Sequence, residues 1–212
     1  MPIDRKTSAL LEVAVFAILL ESYMWIWQGS FPGALWTVIG AGIIFVAASN
    51  AIHSDGRRAL GVRVDNLLES LFEVGTATVI VFIVLAGTGS LLGTLRPVDE
   101  WEASRVPWIF FWALVQQYAL QDFVLPRMTE VFPAPVPAAL ASAGVFALLH
   151  LPNPPLALGT GIIGFIWCRL FQRHPNLFTV SLSHTILAVV LAHSFPRAWL
   201  HGMKVGPGYF NF

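Results

Sequence analysis

Apolar runs long enough to cross a bilayer as helices alternate along this chain with short joints rich in Pro, Gly and charge. A spanning helix needs roughly 17–25 mostly apolar residues. Seven windows meet or approach that length: 8–28, 32–51, 68–93, 106–125, 137–151, 155–172 and 177–195. Several are separated by residues that stop helices and start turns: SFPG at 30–33, RPVDE at 96–100, FPAPVP at 132–137 and LPNPP at 151–155. The fifth window is short for a full span, and an eighth span or a half-inserted segment would change the side on which the C-terminus lies. The stretch 54–67, SDGRRALGVRVDNL, is more polar and reads as an interfacial helix. No internal repeat, linker or shift in composition divides the chain. The expectation is one integral membrane domain over 1–212, an all-α polytopic bundle of about seven, or eight, transmembrane spans.

Composition agrees. Only 11% of residues are charged and 56% are hydrophobic, against about 25% charged in soluble domains. The net charge is zero and no basic run occurs, so nothing offers nucleic acid an electrostatic footprint. The lone Cys168 sits in an apolar stretch and reads as core packing. The N-terminus starts positive, like a signal peptide. Its apolar run, however, is too long, carries Glu12 and Glu21, and lacks a small-residue cleavage site, so it reads as a retained first span. Positive charge favours the cytoplasmic side. With the N-terminus inside, Arg5, Lys6, Arg57, Arg58, Arg63, Arg127, Arg169 and Arg173 fall there, and only Arg96, Arg105, Arg197 and Lys204 fall outside. The expected setting is a multi-pass protein of the cell (inner) membrane, in contact with its lipid bilayer. Trp25, Trp27, Trp101, Trp108 and Trp199 near span ends suit interfacial anchoring.

The polar side chains inside these spans are the candidates for chemistry, because a polar group in hydrocarbon is costly unless partnered and tends to face a protected interior. Gln116, Gln117 and Gln121 form a stripe in the fourth window, with Gln117 and Gln121 one helical turn apart. His150 closes the fifth window, and His184 lies well inside the seventh with Ser181 and Ser183 nearby. Interhelical hydrogen bonding alone would account for the glutamines. His53, His174, His193 and His201 read as loop or interfacial groups. Glu69 and Glu73 share a face at the start of the third window. Glu69 fits a headgroup pair with Arg58 or Arg63, and Glu73, a turn deeper, is the better candidate acid. Asp122 turns away from the Gln117 stripe, with Arg127 as a surface partner.

In order and spacing, QQYALQ at 116–121, FALLH at 146–150 and HTILA at 184–188, with VLPRM after the first and NPP after the second, resemble the CPBP family. These are the CAAX-protease and bacteriocin-processing membrane proteins, to which the Ras-converting CAAX endopeptidases also belong. The family pattern is EExxxR, then FxxxH, then HxxxN or HxxxD, and the resemblance covers 106–195. It implies an intramembrane endopeptidase acting on a membrane-associated protein or peptide. In it a motif glutamate activates water, assisted by His150 and His184, which would also ligate a divalent metal such as zinc.

Position by position, His150 and His184 match, whereas Gln116, Gln117 and Gln121 replace Glu, Glu and Arg, and Ala188 replaces Asn or Asp. A carboxamide cannot act as a general base at neutral pH and is a poorer ligand than carboxylate for a divalent cation. Hydrolysis then needs a substitute acid, Glu73 or Glu21, or histidines that activate water unaided. The alternative is a non-catalytic binding or scaffold protein of the same fold that holds a peptide, lipid or partner helix. A His-ligated pigment protein or a transporter is a third class; the latter would more often show related halves.

Overall fold

The computed structural model describes residues 4–56 and 58–211, which leaves Arg57 outside the described residues. Within them all regular structure is helical. Helix α1 (Arg5–Ser22) runs on through a π turn (Tyr23–Trp27), followed by α2 (Ala34–His53), α3 (Leu67–Leu91) and the short α4 (Glu100–Ser104). Next, α5 (Val106–Ala119), a second π turn (Leu120–Val124) and α6 (Leu125–Val131) form one continuous rod. The last helices are α7 (Pro135–Leu148), α8 (Pro154–Phe171) and α9 (Leu177–Ser194). The protein is thus a polytopic helical bundle. By length and composition α1, α2, α3, α8 and α9 could each cross a membrane, while α7 is a shorter apolar helix.

Local chemistry sets the helix ends. The Asp4 and Asn176 side chains accept from the backbone N–H groups of Thr7 and Thr179, capping α1 and α9. Asn153 caps α8 in the same way, with Pro154 and Pro155 filling the first turn, where no intrahelical N–H partner exists. Its amide also donates to the carbonyls of Leu200 and Lys204. Asp99 and Glu102 form a reciprocal capping box that starts α4. That helix lies beyond the Pro-marked joint at 96–100, where the apolar pattern signals nothing.

The bundle has two ends. The proximal end holds the start of α1, where Glu12 meets Ser49 and His53 of α2 and Arg127 of α6. The start of α3 reaches the start of α9 there, with Ser70 Oγ 2.7 Å from Thr179 Oγ1. At the distal end α3 and α9 approach so closely that a Cβ on Gly89 would lie 2.5 Å from the Ser194 carbonyl oxygen.

Four expectations need correction. The stretch 54–67 forms turns and irregular chain up to residue 66, after which α3 begins, and not an interfacial helix, among the described positions. Gly61, at φ +67°, packs where a Cβ would strike the Phe171 ring, and its carbonyl accepts from Leu177 N. No eighth span follows 195 among the described residues. The segment folds back in turns, with Gly206 N donating to Leu151 O.

Arg127 is no surface partner for Asp122. Both are fully buried, and neither Asp122 oxygen has a hydrogen-bond partner in the structure. Arg127 Nε donates to Glu12 (3.1 Å) and Ser49 (3.0 Å), Nη2 to Asp55 (3.0 Å) and Asn50 (3.2 Å), and Nη1 to Glu130 (3.4 Å). The π turn inserts an extra residue between α5 and α6 and resets the faces beyond it, so both side chains turn inward. Nor are His53 and His193 surface groups. His53 lies between Glu130 (2.6 Å) and Glu12 (3.0 Å), and the buried His193 places Nε2 2.9 Å from Glu102.

Candidate active-site cavity

Gln117, near the end of α5, and Gln121, in the π turn that follows, reach toward α9. Gln121 Nε2 donates to Gln117 Oε1 at 3.0 Å, and Gln117 Nε2 lies 3.2 Å from Nδ1 of His184. With its oxygen taken by Gln121, Gln117 presents its N–H to the ring. Nδ1 of His184 is then the acceptor, and the ring proton sits on Nε2. His150 has the opposite arrangement: its Nδ1 is 2.7 Å from the Phe146 carbonyl oxygen and donates to it, which leaves Nε2 with the lone pair.

Aromatic packing fixes both rings. Phe146 meets the edge of His150 at 4.7 Å and of His184 at 6.2 Å, while Trp167 lies over His184 at 4.7 Å and 33°. Trp167 is itself held by donating Nε1–H to Ser183 Oγ at 2.9 Å, which Thr78 of α3 reaches at 2.7 Å. Phe146 stands inside FALLH and was legible as part of a motif. Trp167 carries no such signal, because its place over His184 depends on how α8 crosses α9.

His150, His184 and Gln116 line a cavity of about 1290 Å³ between the helices, and Ala188 opens onto it one turn beyond His184. Gln117 and Gln121 lie behind this wall, fully buried. The structure therefore brings together Gln116, Gln117, Gln121, His150 and His184. Glu73 and Glu21 are engaged elsewhere and do not line the cavity. Glu73 Oε1 lies 3.2 Å from His174 Nε2, with Arg173 at 4.0 Å, and Glu21 accepts from Trp25 Nε1 at 2.9 Å. Register explains Glu73: Thr78, five residues further along α3, is what stands level with Ser183.

Among the described residues the acid that lines the cavity is Glu102, a residue that hydropathy reading passes over; the D-x-x-E spacing from Asp99 was the available signal. It accepts from Arg96 at 2.8 Å and meets His193 at 2.9 Å. The Arg96 hydrogen bond, then that from His193, holds its carboxyl at about 2. His193 is nine residues from His184, about 13.5 Å along α9, so Glu102 stands at the cavity's distal mouth and not beside the imidazoles.

A catalytic zinc site takes three protein ligands, typically His or carboxylate. Among the described residues no group of three or more His, Cys, Asp or Glu is placed to hold a metal ion. Two imidazoles backed by carboxamides do not fit a divalent metal centre.

Residues 103–190 match the Rce1-like family, described as type II CAAX prenyl endopeptidase Rce1-like. The match runs from α4 through most of α9 and contains all five polar residues gathered at the cavity, in agreement with the resemblance carried by the motifs. No curated protein and no solved structure matches the chain. The match supports an intramembrane protease-like fold for this region, with Gln116 on the cavity wall and Gln117 and Gln121 behind it.

Proposed function

We propose that this protein holds a peptide or lipid ligand in its Rce1-like cavity without hydrolysing it, in a cell membrane with its N-terminus on the cytoplasmic side. The observation that carries the reading is the Gln117–His184 hydrogen bond. A carboxamide stands where a general base is needed, and Glu73 and Glu21 are paired with other groups. The neutral Gln121–Gln117–His184 chain keeps the imidazole oriented with no buried charge to neutralise, which preserves the shape of the site without the reaction. The split of Lys and Arg between the two ends supports the orientation. Purified protein should show no turnover of membrane-anchored, internally quenched peptides. Turnover that disappears in His150→Ala would sink the proposal.

One observation favours hydrolysis as the second reading. Nε2 of His150 offers a lone pair and Nε2 of His184 offers a proton, so the first could take a proton from water while the second donates to the carbonyl oxygen as it gains charge. In that case a membrane-associated protein or peptide is the substrate, and the rate should fall in both His150→Ala and His184→Ala.

A further inference from the structure

His150 and His184 are half-buried against the cavity, and each has one ring nitrogen committed to the protein. Nδ1 of His184 accepts from Gln117, and Nδ1 of His150 donates to the Phe146 carbonyl oxygen. The two Nε2 atoms have no hydrogen-bond partner among the described residues and are not sealed by packing, so both open onto the cavity. His184 offers a proton there and His150 a lone pair. Gln116 adds a third open group, since it lines the same cavity half-buried and its amide has no partner among the described residues.

Most of the remaining wall is apolar, with Leu85 of α3, Ile166 of α8 and Leu187 of α9 on it. This wall continues into the membrane-facing surface. Ile43 of α2, Ile80 of α3 and Ile162 of α8 line the cavity and are exposed, each on a helix long and apolar enough to cross a membrane. The volume of about 1290 Å³ exceeds the roughly 300–1,000 Å³ of pockets for drug-sized ligands, which leaves room for a long chain. Arg96 and Arg197 pair with Glu102 at the distal mouth, about 13.5 Å along α9 from His184.

We propose that the cavity binds a neutral membrane amphiphile whose head both donates and accepts a hydrogen bond, a hydroxyl or a primary amide on one long apolar chain. The head meets Nε2 of His150 and the Nε2–H of His184, and the chain runs along the apolar walls. The inference rests on the reading that the cavity holds its ligand unhydrolysed, and it names the class of that ligand. One donor set beside one acceptor makes the selection. An anionic head has no proton for His150, a quaternary cation has no acceptor for His184, and an ether accepts without donating. Each of these leaves an imidazole nitrogen desolvated and unpaired, which is the costly outcome.

The test uses the full chain in non-ionic detergent, with cis-parinaryl alcohol as probe and its methyl ether as the control that cannot donate. Both are read by energy transfer from Trp, of which Trp167 lies over the His184 ring at 4.7 Å, and both affinities are referred to the probe's concentration in the micelle. The alcohol should bind about tenfold more tightly than the ether, the scale of one retained hydrogen bond. His150→Phe removes the acceptor and should bring the two within about twofold while leaving ether binding unchanged. His184→Phe should instead weaken both probes alike and keep their ratio, because both accept from His184; it serves also if His150→Phe does not fold. Displacement by unlabelled hexadecanol and by hexadecanamide tells which of the two heads the site takes more tightly.

Equal affinity for alcohol and ether in the unmodified protein, or an undiminished ratio in His150→Phe, would each overturn the inference. So would tighter competition by hexadecyl sulfate or hexadecyltrimethylammonium than by hexadecanol, or displacement by a neutral apolar peptide but not by hexadecanol. Peptide turnover in the same preparation is a separate readout. Turnover would overturn the non-hydrolytic reading and leave the head preference standing, whereas no turnover without a head preference overturns this inference alone.

Discussion

Gln117 donates to Nδ1 of His184 across 3.2 Å while its own carbonyl accepts from Gln121 at 3.0 Å, so one fully buried carboxamide sets the tautomer of the imidazole on the cavity wall. Gln117→Leu removes both hydrogen bonds and leaves the His184 nitrogen and the Gln121 amide without partners. An unsatisfied buried polar group costs about 1–3 kcal/mol, and thermal unfolding in detergent should show a destabilisation of that size. Gln117→Glu keeps an acceptor for Gln121 and should unfold closer to the unmodified protein. It also places a carboxylate beside His184, and peptide hydrolysis in this variant alone would identify the missing base.

Arg127 has every donor nitrogen engaged, chiefly by Glu12, Asp55 and Glu130, with no exposed surface. Removing one partner of a buried ion pair typically costs about 3–5 kcal/mol, because the charges left behind are uncompensated. Arg127→Met should fall in this range or fail to accumulate. Arg127→Lys should not restore stability, since a point ammonium cannot span acceptors that a planar fork reaches together. Chemical or thermal unfolding of the two variants side by side checks both statements.

Two glycines of α3 should behave oppositely. Gly89→Ala would press a Cβ against the Ser194 backbone at 2.5–3.0 Å, whereas Gly75→Ala meets nothing within 4 Å. The first should force α3 and α9 apart at the distal end and lower the unfolding midpoint. The second should be neutral or up to about 1 kcal/mol stabilising, from helix propensity. A lower midpoint for Gly75→Ala than for Gly89→Ala would contradict this packing.

The Arg96–Glu102–His193 cluster stands at the distal mouth, and its carboxyl is held at about 2, below the ordinary glutamate value of 4.5, first by Arg96 and then by His193. A depressed carboxyl contributes stability above its unfolded pKa and loses that contribution as pH falls through the folded value. The cluster is therefore intact at neutral pH and comes apart between about pH 4.5 and pH 2. The unfolding midpoint of the unmodified protein should decline across that window, and Glu102→Gln should remove that part of the decline.

Much of the architecture was legible before any coordinates. Hydrophobic run length and Pro or Gly joints placed all seven apolar segments, because in lipid the backbone must satisfy itself and a long apolar run has little choice but helix. The gathering of Gln116, Gln117, Gln121, His150 and His184 was legible too, since polar groups in apolar helices seek a common interior.

Other features needed the third dimension. Hydropathy places an arginine such as Arg127 at the surface, and only the packing of α1, α2 and α6 shows that three carboxylates and two polar side chains surround it. Glu73 was as reasonable an acid as any until the α3–α9 register set it beside His174. Composition and periodicity by themselves determined a membrane-embedded helical bundle with a neutral polar stripe, because these depend on local burial cost. Which side chains share a cavity, which acid reaches it and which cations rim it were decided by tertiary structure alone, because those pairings join residues up to about a hundred positions apart whose meeting depends on helix crossing and register.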